Sequence, residues 1–280
     1  MSTAARPLLP ASPPSYLFLT AWESGTDVSG LRSWLSSRFY LSILGSFSYI
    51  VTLITLRYIM RDRPPMQLRK TLFAWNLLLS LFSIASTIRM SEFISSTWKR
   101  GLRDSLCNQD DDPVANAWML LFVYSKVAEF FDTVFLILRK KPIIFLHTYH
   151  HAIVLPLTWI LFATGSPLVK YATLMNVAVH SIMYAYYAAQ AIGIRVSNSV
   201  ATVITCTQIT QMAVGLILQS AACYFGLMES PDQRKSCFRH DGAAAFLWIA
   251  YASFLYLFGQ FFVKRYCSTP TRKAGDRKKE

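Results

Sequence analysis

The sequence predicts an all-α, polytopic membrane protein with seven transmembrane helices, and three observations carry that prediction. Of the 280 residues, 53% are hydrophobic and only 15% are charged, whereas a soluble domain carries about 25% charged residues. Mean hydropathy is positive, at +0.33. Seven apolar runs stand between polar segments, each near the ~20 residues a helix needs to cross ~30 Å of hydrocarbon. The net charge of +13 cannot lie in lipid, so it belongs to loops and tails, where it sets topology and attracts anionic groups. No basic fold motif accompanies it, so no nucleic-acid partner is expected.

Residues 1–35 are rich in Ser and Pro and hold no long apolar run. The stretch PLLPASPPSYLFLTAW is too broken by Pro to form the apolar core of a cleavable signal, about 7–15 residues long. It reads as a short, partly ordered N-terminal tail. The first span covers about 39–60 and ends at Arg61-Asp62-Arg63-Pro64-Pro65. The second covers about 72–90, with few polar groups until Arg89, and a long polar connection follows to Pro113. The third span is about 114–138. Arg139-Lys140-Lys141-Pro142 then turns the chain into the fourth, about 143–163, with Pro142 suited to a helix's first turn. A tight turn at 164–167 leads to the fifth, about 168–192, and the link 193–198 to the sixth, about 199–227. The polar loop 228–241 precedes the seventh, about 243–266. Residues 36–267 thus form one transmembrane domain, and 268–280 a basic tail with Arg272, Lys273, Arg277, Lys278 and Lys279.

Loop charges give the orientation. Connections 61–70, 139–141, 193–197 and the C-terminal tail are nearly pure Lys/Arg, whereas 91–113 and 228–241 mix in acids. The positive-inside rule places the C-terminus in the cytosol and the N-terminus on the far side. The five cysteines form no CxxC pair and no zinc spacing. Cys107 and Cys237 both fall on the far, oxidising side, where a disulfide and two unpaired thiols both stand open.

Depth organises the polar residues. His147, His150 and His151 enter span four from its cytosolic end, Glu129, Asp132 and Thr133 enter span three, His180, Tyr184 and Tyr187 span five, and Thr205, Gln208 and Gln211 span six. At 1.5 Å per residue they occupy one slab, from under the cytosolic surface to mid-membrane. Four polar faces at one level imply a shared cavity open to the cytosol.

His147-x-x-His150-His151 is the sharpest signal, because imidazoles inside apolar segments are costly and by default mark function. Interhelical hydrogen bonding explains a lone histidine better than three in five residues. A metal site is the second alternative, since histidines at i, i+4 can coordinate zinc or iron. Di-iron membrane desaturases and hydroxylases use such boxes with about eight histidines, and this chain has five: these three, His180 and His240. Metal-free chemistry remains, with imidazole as nucleophile or general acid/base. Lys126-x-x-Glu129-x-x-Asp132-Thr133 is either an internal ion pair or a tuner of a neighbouring histidine. Asn176, His180, Tyr184 and Tyr187 share one helical face. Thr205-x-x-Gln208-x-x-Gln211 suits helix–helix hydrogen bonding as well as substrate contact. The aromatic run 254–262 reads as packing or wall. Seven spans also invite a transporter or receptor, but a three-histidine face near the cytosolic edge does not suit sensing of an external ligand.

With KxxExxDT at 126–133, HxxHH at 147–151, HxxMYxYY at 180–187 and TxxQxxQ at 205–211, the chain closely resembles the fatty-acid elongase family. The likeness runs from about Ser83 through the last span. The flanks SIASTIRM, LRDSLC, ILRKKPIIFLHTYHH and QITQM resemble the branch acting on long saturated and monounsaturated chains. The resemblance implies a seven-span enzyme of the endoplasmic reticulum in which six helices form a barrel around an acyl tunnel. It implies a 3-oxoacyl-CoA synthase, an acyltransferase condensing acyl-CoA with malonyl-CoA and releasing CoA and carbon dioxide, with no cofactor or metal. His150 would attack the thioester to give an acyl-imidazole, His147 and His151 would orient or polarise the reacting groups, and Glu129 and Asp132 would support them. His180, backed by Asn176, would stabilise the enolate or thioester oxygen. Arg139, Lys140, Lys141, Arg195, Lys264 and Arg265 at the mouth would meet CoA phosphates, or serve only as topology determinants. Expected partners are acyl-CoA, malonyl-CoA, membrane lipid and the cycle's reductases and dehydratase, with a homodimer left open. The ending Arg277-Lys278-Lys279-Glu280 loosely resembles a dibasic retrieval signal to the reticulum.

Overall fold

Apolar runs punctuated by polar turns fold as helices, and among the described residues there is no strand. The computed structural model describes Tyr16, residues 20–108, 110–228, Cys237 and 241–267. The basic tail, His240 and most of the first nineteen positions lie outside the described residues. In chain order the helices are α1 (Ala21–Ser24), α2 (Val28–Ser37), α3 (Phe39–Ile59), α4 (Arg69–Trp98), α5 (Leu102–Cys107) and α6 (Pro113–Ala128). Then follow α7 (Phe130–Leu138), α8 (Phe145–Ala163), α9 (Val169–Ala191), α10 (Asn198–Met228) and α11 (Asp241–Phe262), which runs into a π-helical turn at Val263–Cys267.

Among the described residues, four helices are long and apolar enough to cross a membrane: Phe39–Ile59, Arg69–Trp98, Asn198–Met228 and Gly242–Cys267. The expected third, fourth and fifth runs are helical too but fall outside that class. The third is divided at Glu129, and α8 and α9 carry histidines, Lys170 and Asn176 that lower their hydropathy. At the division the Asp132 N–H reaches back only three residues, to the Glu129 carbonyl at 3.1 Å, a 3₁₀-like tightening.

Two further expectations are corrected. The second run does not end at Met90 but continues to Trp98, because Phe93, Ile94 and Thr97 prolong the buried face of Met90. The serines of this segment satisfy their hydroxyls on the helix's own carbonyls. Part of the segment read as a tail folds as α1 and α2 and packs into the protein, with Leu35 fully buried. Thr20 and Glu23 form a capping box on α1, and Asp27 caps α2 by accepting the Gly30 N–H at 3.0 Å.

Sequence chemistry sets the other helix ends. Asp112 accepts the Ala115 N–H at 2.8 Å ahead of Pro113 at the start of α6. α8 and α9 end with Gly165 (φ 65°) and Gly193 (φ 91°), each followed by a residue whose N–H reaches five positions back, the Schellman arrangement. α7 ends the same way, but its left-handed residue is Lys140 (φ 53°). Pro156 lies inside α8 and cannot donate to the Ala152 carbonyl. That carbonyl instead accepts the Ser46 hydroxyl of α3 at 2.8 Å, so the proline creates an interhelical bond.

The most extensive helix pair is α4 with α9. Asn76, Ser80, Ser83 and Ser86 form a buried stripe on α4, and the Ser80 hydroxyl donates to the Ser181 carbonyl of α9 at 2.8 Å. Small polar residues allow such close approach. Contacts then pass from α9 to α10, α11, α8, α6 and back to α4, while α3 packs outside this circuit on α7 and α8. A disulfide joins Cys107, at the end of α5, to Cys237, close before α11. It lies at the opposite end of the circuit from the basic turns after α7 and α9.

Candidate active site

The circuit of helices encloses a cavity of about 480 Å³ at the end away from the disulfide. Its wall includes His147, His150, His151 and His180 from α8 and α9, with Glu129 and Asp132 beside them. Asn176, Tyr184, Tyr187 and Gln190 of α9, Gln208 and Gln211 of α10 and Asn76 of α4 add further polar groups, and Phe258 and Phe261 of α11 supply an aromatic side. The helical period of each motif explains the convergence, since residues three and four apart share a face.

Behind the wall is a buried network. Lys126 is 0% exposed, and its Nζ donates to Glu129 Oε1 and to Asn176 Oδ1, both at 2.7 Å. It also lies 4.3 Å from the Phe122 ring centre, within cation–π range. The Ser125 hydroxyl donates to Glu129 Oε1 at 3.2 Å, and His180 Nδ1 stands 3.6 Å from the same oxygen. His180 Nε2 lies 3.3 Å from Asn176 Nδ2. An amide nitrogen donates, so Nε2 accepts and the His180 proton sits on Nδ1, toward the carboxylate.

Asp132 and His147 are anchored by hydrogen bonds as well. Asp132 accepts the Trp75 indole N–H and the Tyr184 hydroxyl, each at 2.7 Å. His147 Nε2 meets Thr133 Oγ1 at 2.9 Å, and Thr133 meets the Tyr49 hydroxyl at 2.8 Å. The His147 and His151 rings lie 4.5 Å apart and the His150 and His151 rings 5.6 Å apart, while Phe254 packs 4.9 Å from His150. Buried Glu129 Oε2, His150 Nδ1 and His151 Nδ1 have no hydrogen-bond partner among the described residues. Among the described residues, no three His, Cys, Asp or Glu side chains converge with metal-ligand geometry.

Of the six cations expected at the mouth, the cavity wall includes Arg139 but not Lys140, Lys141, Arg195, Lys264 or Arg265. These five are exposed, and Lys140 Nζ donates to the Arg61 carbonyl at 3.1 Å. Thr205 faces Tyr266 at 3.3 Å rather than the cavity. Sequence reasoning missed Tyr49 and Trp75. A signal for Tyr49 existed, because Ser42, Ser46 and Tyr49 form a polar stripe at helical spacing in an otherwise apolar span. Trp75 has no such signature, since a tryptophan in an apolar run is ordinary.

Comparison with known proteins agrees with this geometry. The family model described as "ELO: GNS1/SUR4 family" matches residues 34–274. The chain is 36% identical to very long chain fatty acid elongase 6 of Mus musculus over 236 residues, 83% of this chain and 87% of that protein. The Homo sapiens protein of the same name is 35% identical over 237 residues, again 83% and 87%. Very long chain fatty acid elongase 3 of Mus musculus is 35% identical over 242 residues, 84% and 86%. With a family match across most of its length and relatives of this identity and coverage, the chain belongs to the ELO (GNS1/SUR4) family of fatty acid elongases.

Proposed function

We propose that the chain is the condensing enzyme of fatty acid elongation, joining a long-chain acyl-CoA to malonyl-CoA to give 3-oxoacyl-CoA, CoA and carbon dioxide. The observation that carries this reading is the cavity wall itself, where four imidazoles meet one aromatic-sided space backed by the Lys126–Glu129–Asn176–His180 network. An imidazole nitrogen of His150 attacks the thioester carbonyl. The carbon–sulfur bond breaks, CoA thiolate leaves and takes up a proton, and an acyl-imidazole remains. Malonyl-CoA then loses carbon dioxide, and the electron pair of the broken carbon–carbon bond forms the enolate. Its carbon attacks the acyl group, and the carbon–nitrogen bond electrons return to His150. His151 and His180 orient and polarise the reacting groups, and Asp132, Tyr184, Tyr187, Gln208 and Gln211 shape the space around them.

The closed circuit of helix contacts supports a six-helix barrel with α3 outside it, and the length of α10 and α11 supports a membrane-spanning tunnel. The disulfide at the far end from the basic turns supports an oxidising lumen on that side. The cavity and the C-terminus then face the cytosol at the endoplasmic reticulum. The chemistry uses CoA thioesters as substrates and asks for no cofactor or metal. Arg139 is the cation best placed for a CoA phosphate, with Lys140, Lys141, Arg195, Lys264 and Arg265 forming an outer field. The partners are the two thioesters, membrane lipid and the enzymes that reduce and dehydrate the product, and a homodimer is compatible with this scheme.

The test is to incubate purified protein with a long acyl-CoA alone and to measure free CoA and intact mass. Wild type should release CoA and gain one acyl group, and His150→Ala should do neither. Absence of an adduct, with product still formed on adding malonyl-CoA, would replace the acyl-imidazole by direct condensation. No product at all would remove the condensing-enzyme reading.

A further inference from the structure

One stretch of the cavity wall is closed by side chains instead of by packed helices. α6 packs on α4, but beyond the tightening at Glu129 the chain takes other neighbours, and α7 packs on α3, α6 and α8. Both sides of the seam between α4 and α7 nevertheless line the cavity, Leu72 and Asn76 on one side and Asp132, Phe135 and Leu136 on the other. The contacts that join them converge on Trp75 of α4. Its indole N–H donates to Asp132 Oδ1 at 2.7 Å, and its ring centre lies 5.7 Å from that of Phe131 and 5.8 Å from that of Phe135.

This aromatic cluster reaches from the cavity to the outer surface. Phe135 belongs to the cavity wall, whereas Phe131 is 52% exposed, and the indole packs on both. Leu78, one turn on from Trp75, is exposed as well, so the outer face of the seam is apolar and suited to lipid. Asp132 is held from behind by the Tyr184 hydroxyl of α9 at 2.7 Å, which leaves the indole as the movable half of the Trp75–Asp132 bond. Toward the basic turns the seam ends at the connection between α3 and α4, where the Met66 N–H donates to the Leu138 carbonyl at 2.9 Å. Separating α4 from α7 breaks these two bonds and the indole's ring contacts, and no extensively packed helix pair has to part.

A long acyl chain resides in lipid, because each methylene moved into water is costly, while its CoA head is polyanionic and stays in water. Entry by the polar mouth, past Gln190 and Arg139, would expose the chain to water along its whole length. Building on the condensing-enzyme reading, we propose that the α4–α7 seam is a lateral entrance, latched by Trp75, through which the acyl chain of the thioester slides in from the adjacent lipid leaflet. Malonyl-CoA, which has no long chain, uses the mouth.

The test uses S-hexadecyl-CoA, a thioether that the enzyme cannot cleave, and the full chain in lipid nanodiscs. Trp75→Phe keeps a ring and removes the N–H. A hydrogen bond to a charged group is strong enough to hold an opening equilibrium back roughly tenfold, so association and dissociation should both quicken by about that factor. Kd should stay unchanged, because closed and open states shift alike with and without ligand. CoA itself, which lacks a chain, should bind at its wild-type rate. The converse experiment locks the seam. Trp75→Cys and Phe131→Cys are joined by a short thiol cross-linker in a protein whose free Cys206, Cys223 and Cys267 are changed to Ser. Cross-linking should slow association of S-hexadecyl-CoA and leave that of CoA as it was. Unchanged association of the thioether in the locked protein overturns the entrance and leaves the condensing-enzyme reading standing. A Trp75→Phe protein that shifts Kd with no gain in either rate does the same, since it marks a structural role. Failure of the wild type to bind S-hexadecyl-CoA at all removes both.

Discussion

The two ends of the helix bundle treat buried polar groups differently. At the disulfide end, charges are matched. Arg89 donates to both oxygens of Glu23, at 3.0 and 3.1 Å, and the Trp118 indole adds a third bond at 2.8 Å. Lys170 donates to Asp110 at 2.7 Å, and Arg100 joins Asp104 to Asp110. Among the described residues, the buried atoms left without a partner there are a serine and a threonine hydroxyl, an amide oxygen and one guanidinium nitrogen of Arg32, whose other two nitrogens are bonded. At the histidine end the corresponding atoms are a carboxylate oxygen and two imidazole nitrogens. Burying ionisable groups without partners is expensive. A protein that matches charges at one end and leaves ionisable atoms unmatched at the other separates a structural clamp from a reactive site.

The largest test of this contrast is Glu129→Gln, which leaves the fully buried Lys126 without its counter-charge and with Asn176 as its neutral partner. Removing one partner of a buried pair costs about 3–5 kcal/mol, and the same change should stop CoA release. Denaturation in detergent alongside the release assay reads both. The contrast breaks if activity falls without any loss of stability. Next is the disulfide. Replacing both Cys107 and Cys237 by Ala frees a closure spanning 130 residues and should lower stability by about 2–4 kcal/mol. Turnover below the melting range should stay within about twofold, the ~0.4 kcal/mol such a ratio represents. A large loss of turnover would show that the clamp and the site are coupled.

Lys140→Gly is a smaller test. A non-glycine residue in the left-handed region costs roughly 1–2 kcal/mol, so glycine should raise the melting temperature by a few degrees. If Lys140 serves the substrate, KM for acyl-CoA should rise in the same variant. The smallest effect is a pH dependence confined to α1 and α2. Burial by itself would raise the pKa of Glu23, but hydrogen bonds from Thr20 and Trp118 and the Arg89 charge outweigh it and hold the group below the ordinary carboxylate value. Asp27 is held low by the Gly30 N–H and the Ser29 hydroxyl. Both folded values lie below the unfolded ones of about 4.3 and 3.9. Their contribution is therefore complete above about pH 4.3 and is lost as pH falls through the folded values. Hydrogen exchange at residues 20–37 should rise there before it rises in α8 and α9.

Much of the site was legible in the sequence because each motif repeats at helical spacing inside an apolar run. His147, His150 and His151 announce themselves, and counting residues inward placed them at the level of His180, Glu129 and Gln211. What was not legible depends on contacts between distant segments. Nothing local marks Trp75 as the donor to Asp132, fifty-seven residues away. Glu23 lay in a segment whose Pro and Ser content concealed its pairing with Arg89 across sixty-six positions.

The sequence by itself determined the helical class, the order of the apolar runs and the faces that carry chemistry, because periodicity and the cost of polar groups in apolar surroundings act within one helix. The tertiary structure alone decided which helices are neighbours, that Lys126 is shared between Glu129 and Asn176, and that α3 reaches His147 through Thr133. Hydrogen bonds act over about 3 Å. Which groups come that close is set by the packing of whole helices, a property no single stretch of chain contains.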